Sequence, residues 1–103
     1  MARICVYLGS REGNSPVFRQ ATNKLGRTLA ERGHTLVYGG ARIGLMGELA
    51  NSVLEAGGNV IGVMPDHLVE REQAHFGLSE LIRVRNMHER KATMAANADA
   101  FIA

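Results

Sequence analysis

Apolar and polar positions along this chain fall into blocks whose period changes. Ile4-Cys5-Val6-Tyr7-Leu8 is a continuous apolar run ending at Gly9-Ser10, the pattern of a strand buried on both faces. After Ser15, an N-cap residue, and Pro16, suited to the first helical position, the period becomes helical. Val17, Phe18, Ala21, Leu25, Leu29 and Ala30 form one apolar stripe, with Lys24, Arg27 and Arg32 largely outside it and Gly33 placed to end the helix. Thr35 to Tyr38 reads as a second strand. A second helix spans about Leu45 to Ala56, offers Leu45, Ala50, Val53 and Leu54 for packing, and stops at Gly57-Gly58. Asn59 to Met64 is a third apolar strand, closed by Pro65.

The later third is less regular. Asp66 to Ser79 has no clear period and reads as a loop with room for a short helix. Leu81 to Val84 is a short strand or extended segment. Asn86, with Glu89 three residues on, is a capping pattern that opens a helix to about Asn97. Ala100-Phe101-Ile102-Ala103 begins another apolar strand. Strands near 3–8, 35–38, 59–64 and 100–103, alternating with helices, predict an α/β fold: a Rossmann-like parallel sheet with helices on both faces.

At 103 residues the chain is one domain at most. Its net charge of +2 and lack of Trp give no basic, aromatic-interleaved surface, which argues against nucleic acid. Cys5 is the single cysteine, in an apolar run, so it reads as a buried thiol in a reducing cytoplasm. The four histidines lack metal-ligand spacing, so no metal is expected, and no cofactor is implied. The apolar stretch after Met1-Ala2-Arg3 is too short for a signal-peptide core, and no window is long enough to span a membrane.

Two stretches carry candidate chemistry. In Tyr38-Gly39-Gly40-Ala41-Arg42-Ile43-Gly44-Leu45-Met46-Gly47 a strand gives way to a glycine turn and a helix. Gly39 and Gly40 allow a sharp turn and close approach of a ligand, and Gly44 and Gly47 allow the helix to lie close to the sheet. The helix start has N–H groups without intrahelical acceptors, which suits a nucleotide or sugar phosphate, though the same glycines serve an unliganded tight turn. The motif is neither Gly-x-Gly-x-x-Gly nor a P-loop. Gly9, Ser10 and Arg11 follow the first strand's carboxyl end, where open α/β sheets place ligands; a solvated loop reads equally well.

The second stretch is Met87, Arg90, Lys91 and Met94, spaced i, i+3, i+4 and i+7 on one helical face, with Ala92, Ala95 and Ala96 offering a small face to the sheet. Cations this near a helix N-terminus oppose the macrodipole at roughly 0.3–1 kcal/mol. A phosphate-bearing ligand with an apolar group would repay that, and a solvated basic patch or a subunit contact is the plainer alternative.

Together these residues identify a resemblance. Tyr38 to Gly47 resembles the first glycine motif of the Lonely Guy family, with Ala41 where many members have a third glycine. Met87-His88-Glu89-Arg90-Lys91 followed by Ala98-Asp99-Ala100-Phe101-Ile102-Ala103 resembles the family's Met-His-x-Arg-Lys segment and the strand after it. Gly9-Ser10 and Gly62-Val63-Met64-Pro65 also match. The resemblance covers essentially the whole chain. It implies hydrolysis of the N-glycosidic bond of an adenine-type (cytokinin or adenine) nucleoside 5′-monophosphate to free base and ribose 5-phosphate, by a homodimer. Arg90 and Lys91 match the family's substrate-binding pair, with Arg90 as the catalytic member, and Glu72 matches a substrate-binding carboxylate. A carboxylate stabilises an oxocarbenium-like sugar, so the chemistry is coherent.

The family's second motif, Pro-Gly-Gly-x-Gly-Thr-x-Glu-Glu, would begin one residue after Ala103 and is absent. The chain is therefore expected to be the N-terminal part of one Rossmann-like domain, 1–103, cut after the start of the fourth core strand. Alone it should be largely inactive, and either poorly stable or in need of a partner. A competing reading is a Rossmann-like carrier or sensor that holds a nucleotide or cofactor without cleaving it.

Overall fold

The computed structural model describes residues 2–6, 16–42, 44–71 and 73–102. Five parallel strands form one sheet: β1 (Arg3–Val6), β2 (Thr35–Tyr38), β3 (Asn59–Pro65), β4 (Glu80–Val84) and β5 (Ala100–Ile102), in the order β4-β3-β2-β1-β5. Three helices connect them: α1 (Pro16–Glu31), α2 (Gly44–Glu55) and α3 (Met87–Ala96). Register is continuous across the sheet, with Ile4 opposite Leu36, Leu36 opposite Val60 and Ile61 opposite Glu80. Strand order reverses between β1 and β5. The expected architecture is therefore present. Because residues 80–84 form a full edge strand, the strand at Ala100 is the fifth of the sheet and not the fourth.

Alternation along the strands sorts the interior into two cores. Val6, Leu36, Tyr38 and Val60 pack with Leu29 of α1 and Leu49, Ala50 and Val53 of α2. Their chain neighbours Cys5, Val37 and Ile61, with Val63 and Val84, pack with Met94 of α3 on the opposite face. Strands covered on both faces account for the near-continuous apolar runs. Cys5 is fully buried, as its setting predicts.

The helices contact the sheet along different lines from those the apolar spacing suggests. On α1 the buried positions are Thr22, Gly26 and Leu29, with Leu25 and Ala30 partly buried. Val17 is 68% exposed and Ala21 is exposed, so these two positions of the expected stripe lie away from the core. The cause is Gly26: a Cβ there would meet the Cβ of Ser52 at 2.5 Å and the Leu49 carbonyl oxygen at 3.0 Å, so α1 and α2 touch almost backbone to backbone at that point. On α2, Leu49 and Ser52 are buried beside Ala50 and Val53, while Leu45 and Leu54 are only partly covered. Ser52 is satisfied: its single hydroxyl proton has two acceptors in reach, Asn23 Oδ1 (2.6 Å) and the Glu48 carbonyl (2.9 Å).

On α3 the alanine face is not the one against the sheet. Ala92, Ala95 and Ala96 are exposed, and Met94 is buried. A methionine fills the irregular gap over Val63 and Val84 that an alanine would leave empty. The helix starts as its sequence requires: Asn86 Oδ1 accepts from the Glu89 backbone N–H at 2.8 Å. Glu89 reaches back one residue further than in a standard capping box, accepting from the Arg85 backbone N–H (3.2 Å) and guanidinium (3.1 Å).

Candidate active site

The glycine turn leaves the carboxyl end of β2. Beneath it, the fully buried Tyr38 donates its hydroxyl to the Ala41 carbonyl at 2.6 Å, and burial drives its pKa far up. Gly40 takes φ +91° and Gly44 φ +71°, backbone conformations that L side chains rarely adopt. Gly47 brings the first turn of α2 against the turn before it, where a Cβ would collide with the Arg42 carbonyl. The sequence predicts closeness to the sheet at Gly47; the nearest atoms are instead those of the Arg42 backbone.

The loop between β3 and β4 is fastened over this turn. Ala74 bridges Ala41 in antiparallel sense. The Arg42 backbone N–H donates to the Gln73 carbonyl and the His75 N–H donates to the Gly40 carbonyl, both at 2.8 Å. The Arg42 guanidinium also donates to the Gln73 side-chain oxygen. The loop contains the expected short helix, a single 3₁₀ turn at Asp66–Leu68.

Arg90 reaches into the same region from α3. Its Nη2 donates to the Gly39 carbonyl at 2.6 Å and its Nε donates to the Val63 carbonyl at 3.0 Å. The guanidinium thus spans the carboxyl ends of β2 and β3, with the sulfurs of Met87 (3.8 Å) and Met64 (4.0 Å) beside it. Two backbone carbonyls orient the planar fork. The absent side chain of Gly39 is what admits the fork: the three atoms that a Cβ would approach most closely all belong to Arg90. Gly39 therefore serves the arginine directly.

The structure thus brings together Gly39, Gly40, Met87 and Arg90 at the carboxyl edge of the sheet, with Gly44 at the adjoining helix start. Met87, Arg90 and Met94 do share a helical face. Lys91 is exposed one position further round the helix, where consecutive side chains do not point together. Gly9, Ser10 and Glu72 lie outside the described residues, although Gln73, next to Glu72, is bonded to the glycine turn. Nothing in the spacing marks Val63, Met64 or Gln73 as neighbours of the site. Two of them contribute backbone carbonyls, which leave no side-chain signature. Among the described residues no group of three or more His, Cys, Asp or Glu could hold a metal ion.

Comparison with known proteins places the chain in a family. A protein-family model described as "Possible lysine decarboxylase" matches residues 46–103. The chain is 50% identical over 101 residues to the rice (Oryza sativa subsp. japonica) protein "Cytokinin riboside 5′-monophosphate phosphoribohydrolase LOG", covering 98% of this chain and 42% of that one. It is 48% identical over 101 residues to the Rhodococcoides fascians "Cytokinin riboside 5′-monophosphate phosphoribohydrolase", covering 97% of this chain and 51% of that one. The chain therefore spans about half the length of the curated relatives it matches. Among solved structures, the structural-genomics target TM1055 superposes with a TM-score of 0.76 at 33% identity over 98% of this chain and 59% of its own. The molybdenum cofactor carrier protein of Chlamydomonas reinhardtii superposes at 0.79 with 24% identity, over 97% of this chain and 60% of its own, a likeness of fold alone. With more than half its length inside the family model, and with the glycine turn and the Arg90 helix meeting at one edge, this chain belongs to the possible-lysine-decarboxylase family, the Lonely Guy family its motifs resemble.

Proposed function

We propose that the whole protein hydrolyses the N-glycosidic bond of a cytokinin or adenine nucleoside 5′-monophosphate, releasing free base and ribose 5-phosphate. The observation that carries this reading is the seat of Arg90, a fork held by the Gly39 and Val63 carbonyls at the carboxyl end of the sheet. The identity to phosphoribohydrolases of rice and Rhodococcoides fascians supports it. A fixed cation there can hold the phosphate or a ribose oxygen while positive charge develops on the sugar. Because its orientation precedes substrate, little reorganisation accompanies the reaction. In this reading Arg90 is the catalytic cation. Glu72, Lys91, Met87, Ser10 and the backbone at Gly9, Gly39, Gly40 and Gly44 bind substrate, with Glu72 taking a ribose hydroxyl. A water attacks the anomeric carbon as the base departs, and the base takes up a proton.

The proposal extends to a cytoplasmic homodimer, as the family resemblance implies. No helix among the described residues is long and apolar enough to cross a membrane. The deciding experiment incubates the full-length protein with adenosine monophosphate and follows free adenine. Adenine and ribose 5-phosphate in equal amounts are expected. Retained, uncleaved nucleotide would overturn hydrolysis in favour of a carrier.

A further inference from the structure

His75 lies outside the set of residues that the family resemblance assigns, and its bonds are specific. Its Nδ1 accepts the Gly77 backbone N–H at 3.0 Å, so the ring proton of the neutral imidazole sits on Nε2, 2.8 Å from Asn51 Oδ1 on α2. Its backbone N–H is the one that donates to Gly40. One residue thus ties the β3–β4 loop to the glycine turn through its main chain and to α2 through its ring. We infer that neutral His75 is a positioning residue: it holds the 73–75 strip against residues 40–42, and so holds the turn whose Gly39 carbonyl orients Arg90. This inference rests, for its kinetic consequences, on the hydrolytic reading proposed above.

The charges around the ring favour the neutral form. Arg42 faces it from the glycine turn, and burial together with that guanidinium lowers the His75 pKa below its ordinary value. From α2 the facing group is the neutral Asn51. Of the acids one turn either side of it, Glu48 is engaged by Arg19 of α1 at 3.0 Å and Glu55 borders the cleft between α1 and α2. On its own loop, Asp66, His67 and Glu70 line the groove that His75 also lines, with Asp66 paired to Arg83 of β4 at 2.8 Å. Protonation would place a hydrogen on Nδ1, remove the acceptor of the Gly77 N–H and set a second cation beside Arg42. Because the folded pKa is depressed, the tie is intact above the usual histidine range and weakens as pH falls below it.

The test uses amide hydrogen exchange and steady-state kinetics on the full-length protein, with adenosine monophosphate as substrate. In His75→Ala and in Asn51→Ala, protection of the Arg42 and His75-position amides should fall about tenfold, while the core amides of β2 and β3 keep theirs. kcat should fall several-fold, because the Arg90 fork is less well oriented, with KM changed by less than about twofold. In the unsubstituted protein, kcat should fall as pH drops below the usual histidine range of about 6.5, and His75→Ala should flatten that fall. Unchanged protection at Arg42 in both variants would overturn the inference, as would protection lost uniformly across the sheet. A wild-type protein that releases no adenine would remove the hydrolytic reading, while the exchange data would still decide the tie.

Discussion

The two faces of the sheet are built to different standards. On one, α1 and α2 lie so close that Gly26 cannot carry a Cβ, and Leu36, Tyr38, Leu49, Val53 and Val60 are wholly buried. On the other, the short helix α3 contributes one fully enclosed side chain, Met94, and its next inward position along the same face is Arg90. The first face puts its helical contacts into apolar area. The second gives up part of that area to hold a guanidinium over the ends of β2 and β3. If Arg90 acts as proposed, cohesion and chemistry are separated across one sheet and can be damaged separately.

Substitutions on the two faces should therefore fail in different ways. The largest effect on stability belongs to the α2 face. Leu49→Ala removes a fully buried side chain and should cost about 2–5 kcal/mol in denaturant unfolding of the full-length protein, with near-normal kinetics in the fraction that stays folded. Gly39→Ala should do the opposite. Its φ lies outside the left-handed region, and the atoms its Cβ would meet belong to the movable Arg90 fork, so stability should change by less than about 1 kcal/mol. Turnover should nonetheless fall on the order of tenfold to a hundredfold, because the fork is displaced from its carbonyls. Normal turnover in Gly39→Ala, or unfolding of it, would erase the separation of the faces. A smaller effect follows at the start of α3. Asn86→Ala leaves the Glu89 N–H without its cap and should cost about 1 kcal/mol, read as a lower midpoint with unchanged slope in urea.

The same contrast explains what the sequence made legible. Strand positions could be read because burial on both faces writes itself as unbroken apolar runs, and β2 lies where Thr35 to Tyr38 predicts it. Helix faces were read less well. Gly26 and Thr22 are buried while Val17 is exposed, because the α1–α2 contact is set by the closeness of two backbones, which apolar spacing does not record. On α3 the alanines were expected inward, yet Met94 and Arg90 hold that side. The order of the elements already predicts that the glycine motif and the start of the Arg90 helix converge at the carboxyl edge of the sheet, but not which bonds join them. The link is made by the Gly39 and Val63 carbonyls, which every residue type possesses. The segment from Asp66 to Ser79 looked aperiodic for a related reason: its shape comes from main-chain bonds to Gly40 and Arg42 and from the His75 ring, and not from a buried stripe.

In the proposed reading the Arg90 fork, seated on two carbonyls, holds the phosphate or a ribose oxygen in the geometry from which the base departs. The most direct test of this reading is kcat for adenine release from adenosine monophosphate by full-length Arg90→Ala and Arg90→Lys proteins with intact unfolding midpoints. Removing a preoriented charge-assisted donor should lower kcat by about 10²–10³-fold. Lysine should not restore it, since a point charge cannot bridge Gly39 and Val63 as the planar fork does. Adenine release by Arg90→Ala at near wild-type kcat would contradict the account and leave Arg90 as a clasp between α3 and the sheet.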